Sequence, residues 1–90
     1  MIIKKHLIIS GKVQGVGFRY WMQNLAINNN ISGWVKNRSS DDVEALIIGQ
    51  EKEVQKLIKQ CKIGPSSATI RNIQVNDYNQ HYSEKGFNIF

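Results

Sequence analysis

The chain has 90 residues, 41% hydrophobic and 21% charged, which is close to ordinary globular usage and excludes disordered, collagen-like and coiled-coil chains. Twelve Lys and Arg against seven Asp and Glu give a net charge of +5, favouring an anionic partner without choosing between phosphate metabolites and nucleic acid. A chain of this length supports one domain, residues 1–90, burying about 60–65% of its unfolded surface.

Cys61 is the only cysteine, so no intramolecular disulfide reinforces the core and a reducing compartment is expected. Residues 1–9 bring Lys4 and Lys5 but only the short apolar run Leu7-Ile8-Ile9 after them, far short of a signal core or a membrane span. The expectation is a cytoplasmic chain without membrane association.

In chain order, residues 3–13 read as a strand. Leu7, Ile9, Gly11 and Val13 fall on one face, Ile8 and Ser10 on the other; apolar weight on both sides suits a central strand. The bend Gln14-Gly15-Val16-Gly17 follows. From Phe18 to Asn29, the residues Phe18, Trp21, Met22 and Leu25 recur at i, i+3, i+4 and i+7, the spacing that lines one helical face. Residues 31–37 and 43–48 read as a hairpin joined by the polar turn Arg38-Ser39-Ser40-Asp41-Asp42.

A second helix over residues 51–62 carries Val54, Leu57, Ile58 and Cys61 at helical spacing, with acids in its first turn and Lys59 and Lys62 near its end. Gly64-Pro65 stops it. Ile70, Ile73 and Val75 mark a fourth strand, and Phe87-Asn88-Ile89-Phe90 a short last one. The order β-α-β-β-α-β plus a tail strand predicts an α+β ferredoxin-like split βαβ sandwich, with two helices on one face of a sheet ordered 4-1-3-2. Many activities share that fold, so function rests on a site.

The bend offers one. Two glycines let the backbone turn without Cβ clashes, and a helix opens directly after them. Orphan N–H donors and the positive end of the helix dipole then form an anion site, and consecutive amides in such a turn make a concave nest. Arg19 in the first helical turn opposes the dipole, which points to an anion ligand that its planar fork would grip. Gly11, Gly15 and Gly17 do not match G-x-G-x-x-G, and no Gly-Lys-Ser/Thr is present for a P-loop.

The run Gly11-Lys12-Val13-Gln14-Gly15-Val16-Gly17-Phe18-Arg19 resembles the G-x-V-Q-G-V-G-F-R signature of acylphosphatases. Gly33-Trp34-Val35-Lys36-Asn37 followed by Val43-Glu44-Ala45 resembles the family's second signature, and the similarity continues through Gly64-Pro65 to Phe87 and Ile89. The family's fold is the same sandwich. The resemblance implies hydrolysis of an acyl phosphate to a carboxylate and inorganic phosphate by water attacking phosphorus, without metal or cofactor. Carried over residue by residue, Arg19 binds the phosphate. The amides of Gly15, Val16, Gly17, Phe18 and Arg19 cradle it, or cradle free phosphate or another anion, and Asn37 orients the water. A monomer is expected, with a small-molecule acyl phosphate as substrate and no nucleic-acid partner.

In a 4-1-3-2 sheet, strands 1 and 2 run parallel on either side of strand 3. The loop after Val13 and Asn37 therefore leave the same edge, with strand axes roughly 10 Å apart. An acyl phosphate has a good leaving group, so positioning and charge stabilisation suffice and no strong general base is needed. The chain departs from the family between Asn37 and Val43. Members usually carry Asp-Gly there, whereas Arg38-Ser39-Ser40-Asp41-Asp42 has no glycine, and its two adjacent carboxylates are expected to weaken phosphate binding. Asp does tolerate left-handed conformations, which keeps a turn feasible.

Other residues read as structural. His6 and His81 lack metal-ligand spacing, Cys61 lies on an apolar helical stripe, and Lys52, Lys56, Lys59 and Lys62 mark a solvated helix face. Two alternatives to the enzyme are a non-catalytic ferredoxin-like module that binds anions or RNA and a regulatory interaction protein that keeps the anion site. The aromatic pattern of RNA-binding sheets is missing.

Overall fold

The computed structural model describes residues 1–90. Strand β1 (Ile2–Lys12) is followed by helix α1 (Phe18–Asn28), the hairpin β2 (Ser32–Asn37) and β3 (Val43–Gln50), helix α2 (Glu51–Cys61), β4 (Thr69–Asp77) and β5 (Phe87–Ile89). The sheet order is β4-β1-β3-β2-β5, the expected 4-1-3-2 with the tail strand added beside β2. All neighbours pair antiparallel except β2 and β5, which are parallel.

One core cluster takes side chains from both helices and from one face of the sheet, including Leu7, Ile9, Val35, Val43, Ala45 and Ile47. Both helices therefore cover the same face. On α2 the stripe Val54, Leu57, Ile58 and Cys61 is buried as its spacing predicts. On α1 the buried residues are Phe18, Met22 and Ala26, while Trp21 and Leu25 pack at the margin. The helix is rotated slightly from the expected face, with the Trp21 ring tilted against Phe18 at 5.2 Å.

Leu46 is also fully buried, but it lies outside that cluster, in register with His6 of β1 and Trp34 of β2 on the other face. This second apolar patch is why β3 reads as a continuous apolar run rather than an alternating one. The fourth strand is lighter than expected: Ile70 and Ile73 pack on the core, but Val75 is exposed. β4 lies at the sheet edge and α2 packs over β3 and β1, leaving the Asp77 end of the strand uncovered.

Candidate active site

Between β1 and α1, Gly15 and Gly17 both take the left-handed conformation, with φ of 73° and 77°, which glycine adopts without a Cβ penalty. Gly17 stands at the N-cap of α1 with no side-chain cap bond. None of the backbone N–H groups from Gln14 through Tyr20 has a backbone acceptor; the first such bond here is Trp21 N–H to the Gly17 carbonyl, at 3.0 Å. A helix start normally satisfies some of these donors. Here they stay available to a ligand, at the positive end of the helix dipole.

No acidic residue occupies the first turn of α1, and Arg19 does. Its Nη1 donates to the Phe90 carbonyl oxygen at 3.3 Å, and the Phe90 N–H in turn donates to the Val35 carbonyl at 2.9 Å. The end of β5 thus steadies the guanidinium while leaving most of its five donors free.

A cleft of about 300 Å³ opens at this end of the sheet, lined by Gly15, Gly17, Phe18, Arg19 and Asn37, with Val13, Tyr20 and Ile89 as its apolar wall. Arg19 and Asn37, expected at one sheet edge, line the same cleft. Asn37 is the last residue of β2 and pairs with Val43 of β3, which also pairs with Ile9 of β1. Of the five expected cradle residues, Val16 alone is not a lining residue; its carbonyl accepts a hydrogen bond from Ser67 Oγ at 3.1 Å. Because C=O and N–H of one planar peptide point oppositely, that bond turns the Gly17 N–H away from Ser67. A second cleft, at the start of β2, is lined by Ile27, Asn30, Ser32 and Phe87 among others and has no charged side chain.

The glycine-free turn forms with Asp41 in the left-handed conformation, φ 70°. Arg38 N–H donates to the Asp42 carbonyl at 2.9 Å and Asp41 N–H to the Arg38 carbonyl at 3.2 Å. The Asp42 carboxylate accepts from Ser40 Oγ at 3.0 Å and lies 3.9 Å from Arg38 Nη1. Neither aspartate lines the cleft, so their expected penalty on phosphate binding acts only through longer-range repulsion. Asp41→Gly is expected to stabilise the fold by about 0.5–1 kcal/mol by removing left-handed strain, read as a higher urea midpoint at unchanged m-value.

Four hydrogen bonds at the site escaped the sequence reading. Gln14 Nε2 donates to the Arg38 carbonyl at 2.8 Å and to the Asp42 carbonyl at 2.9 Å; the others are Ser67 on Val16 and Arg19 on Phe90. Gln14 did stand inside the first signature, and that was its only signal. The residues read as structural remain away from the cleft. His6 Nε2 sits 2.6 Å from Glu44 Oε2 on the helix-free face, and His81 and the four α2-region lysines are exposed. Burial pushes the Cys61 thiol up to about 12, the opposite of an activated nucleophile. No group of three or more His, Cys, Asp or Glu side chains is placed to hold a metal ion, and no helix is long and apolar enough to cross a membrane.

Comparison with known proteins converges on one family. The acylphosphatase profile matches residues 5–89. An acylphosphatase of Acidiphilium cryptum is 43% identical over 86 residues, covering 96% of this chain and 93% of the relative. The crystal structure of acylphosphatase from Bacillus subtilis superposes with a TM-score of 0.92 at 34% identity, covering 100% of this chain and 99% of that one. Full-length HypF in its phosphate- and nucleotide-bound form aligns over 100% of this chain but only 12% of its own, with a TM-score of 0.90 and 34% identity. With the family profile spanning nearly every residue, and both signatures meeting at one cleft, the chain belongs to the acylphosphatase family of hydrolases.

Proposed function

We propose that this chain hydrolyses acyl phosphates to a carboxylate and inorganic phosphate by direct attack of water on phosphorus, as a monomeric single-domain enzyme of the cytoplasm. The observation that carries the reading is that Gly15, Gly17, Phe18, Arg19 and Tyr20, whose amides have no backbone acceptor, line the same cleft as Asn37. The cradle amides and the Arg19 fork hold the phosphoryl oxygens, whose charge redistributes in the transition state. Fixed amides need no reorganisation as that charge develops, which is where such donors act most strongly.

Asn37 faces the bound phosphoryl group from the end of β2. Its carboxamide can accept a proton of the attacking water or donate to it, holding the oxygen in line with the acyl leaving oxygen. The water's proton passes to a phosphoryl oxygen of the substrate, so no side-chain base is required. Guanidinium and amides supply the charge stabilisation that a metal ion provides in other phosphoryl-transfer sites.

Benzoyl phosphate hydrolysis in the presence of EDTA tests this. The wild type is expected to turn over. Asn37→Ala is expected to lower kcat about 10²-fold, by loss of one positioned group, while inhibition by inorganic phosphate, which reports the cradle and Arg19, stays within about twofold. Phosphate binding without any wild-type turnover would support the non-catalytic anion-binding alternative. Light scattering checks the monomer.

A further inference from the structure

The candidate site joins two pieces of chain that no sheet pairing ties together at its rim. β3 pairs with β1 only as far as Ile9↔Val43; beyond that β1 continues against β4, pairing Gly11 with Ile70 and Lys12 with Thr69. On the other side, β5 pairs with β2 from Gly33 to Val35. Asn37↔Val43 is the last rung of the β2–β3 hairpin: Val43 is still held by Ile9 of β1, but β5 stops at Val35, so no strand pairs with Asn37 on its other side and nothing pairs with the turn beyond it. Ladder ends of this kind open most readily, yet Asn37 has to hold a water in line with a scissile bond.

One side chain crosses the gap. Gln14 Nε2 donates to the carbonyls of Arg38 and Asp42, at 2.8 Å and 2.9 Å, and these are the residues that flank the last rung, one after Asn37 and one before Val43. Both protons of the carboxamide NH₂ are thereby used. Gln14 directly precedes Gly15, so the anchor of this clamp is the cradle itself. The turn it closes contains the left-handed Asp41, a strained element that persists only where its surroundings over-determine it. Gln14 does not line the cleft and has no direct role toward the phosphate.

We propose that Gln14 is a positioning residue for the hydrolysis: it locks the mouth of the β2–β3 turn to the phosphate cradle and so fixes Asn37 relative to Arg19. This rests on the reading of Asn37 as the water-orienting residue.

The test uses Gln14→Met, which keeps the length and removes both donors. Its kcat for benzoyl phosphate is expected to fall by roughly 10- to 10²-fold, the scale of a misplacement near 1 Å, with inhibition by inorganic phosphate within about twofold of wild type. In an Asn37→Ala background, Gln14→Met is expected to add almost nothing, because its effect passes through Asn37. Gln14→Glu supplies a second variant: its carboxylate is acceptor-only but regains an O–H donor when protonated, so its deficit against wild type should narrow as pH falls through the carboxyl range. An unchanged kcat, parallel loss of phosphate inhibition, or full additivity with Asn37→Ala overturns the proposal. Wild-type inactivity, or a fully active Asn37→Ala, would instead sink the functional reading beneath it and the proposal with it.

Discussion

Arg19→Ala is expected to lower kcat/KM for benzoyl phosphate by about 10²–10³, or roughly 2.7–4 kcal/mol of transition-state stabilisation. Inhibition by inorganic phosphate should weaken with it, because the same guanidinium meets product and transition state. The fold should be untouched. Arg19 gives up one exposed hydrogen bond to the Phe90 carbonyl, and removing a cation from the positive end of α1 favours the helix by a few tenths of a kcal/mol. A residue whose loss abolishes activity while leaving the urea midpoint level or slightly raised is one held for its ligand. Arg19→Lys should recover little, since an ammonium cannot reproduce the planar two-pronged contact. Wild-type kcat/KM in Arg19→Ala would remove the arginine from the mechanism.

Gly33→Ala should have the largest effect on stability. Gly33 is buried in β2 with φ 134°, between Ile47 of β3 and Phe87 of β5. A Cβ there would stand 1.9 Å from the Leu46 carbonyl oxygen and 2.8 Å from its carbon. The clash is with backbone, so no rotamer change relieves it; β2 and β3 would have to separate. Overpacking and backbone strain together are expected to cost about 3–5 kcal/mol, a large share of the roughly 5–15 kcal/mol that holds a small domain folded. Urea unfolding would show this as a sharply lower midpoint. Because Asn37 lies further along the same displaced strand, kcat should also drop in whatever fraction remains folded. A wild-type midpoint would mean that the two strands part at no cost.

The division between what the chain announces and what its folding decides follows the range of the forces involved. Helices and strands were legible because a periodic apolar face is written over a few adjacent residues; α2 buries the stripe its spacing predicts. The candidate site around Arg19 was legible for the same reason, since the glycines, the orphan amides and the misplaced charge all fall within one short stretch, Gly15 to Arg19. The alternation of elements constrained the sheet enough to put Asn37 and the cradle at one edge.

Long-range contacts wrote no such signal. The clamp from Gln14 spans 24 and 28 residues, the Ser67 bond to Val16 spans 51, and the Arg19 bond to Phe90 spans 71. Each depends on where two separate elements arrive, which no local pattern records. The rotation of α1 and the exposure of Val75 likewise depended on which faces the other layer covers. For this protein the sequence determined the glycine turn with its open amides and the sandwich that presents it. The tertiary structure alone decided that a glutamine would close the gap beside Asn37, because only there do the end of β1 and the open rim of the hairpin come within reach of one side chain.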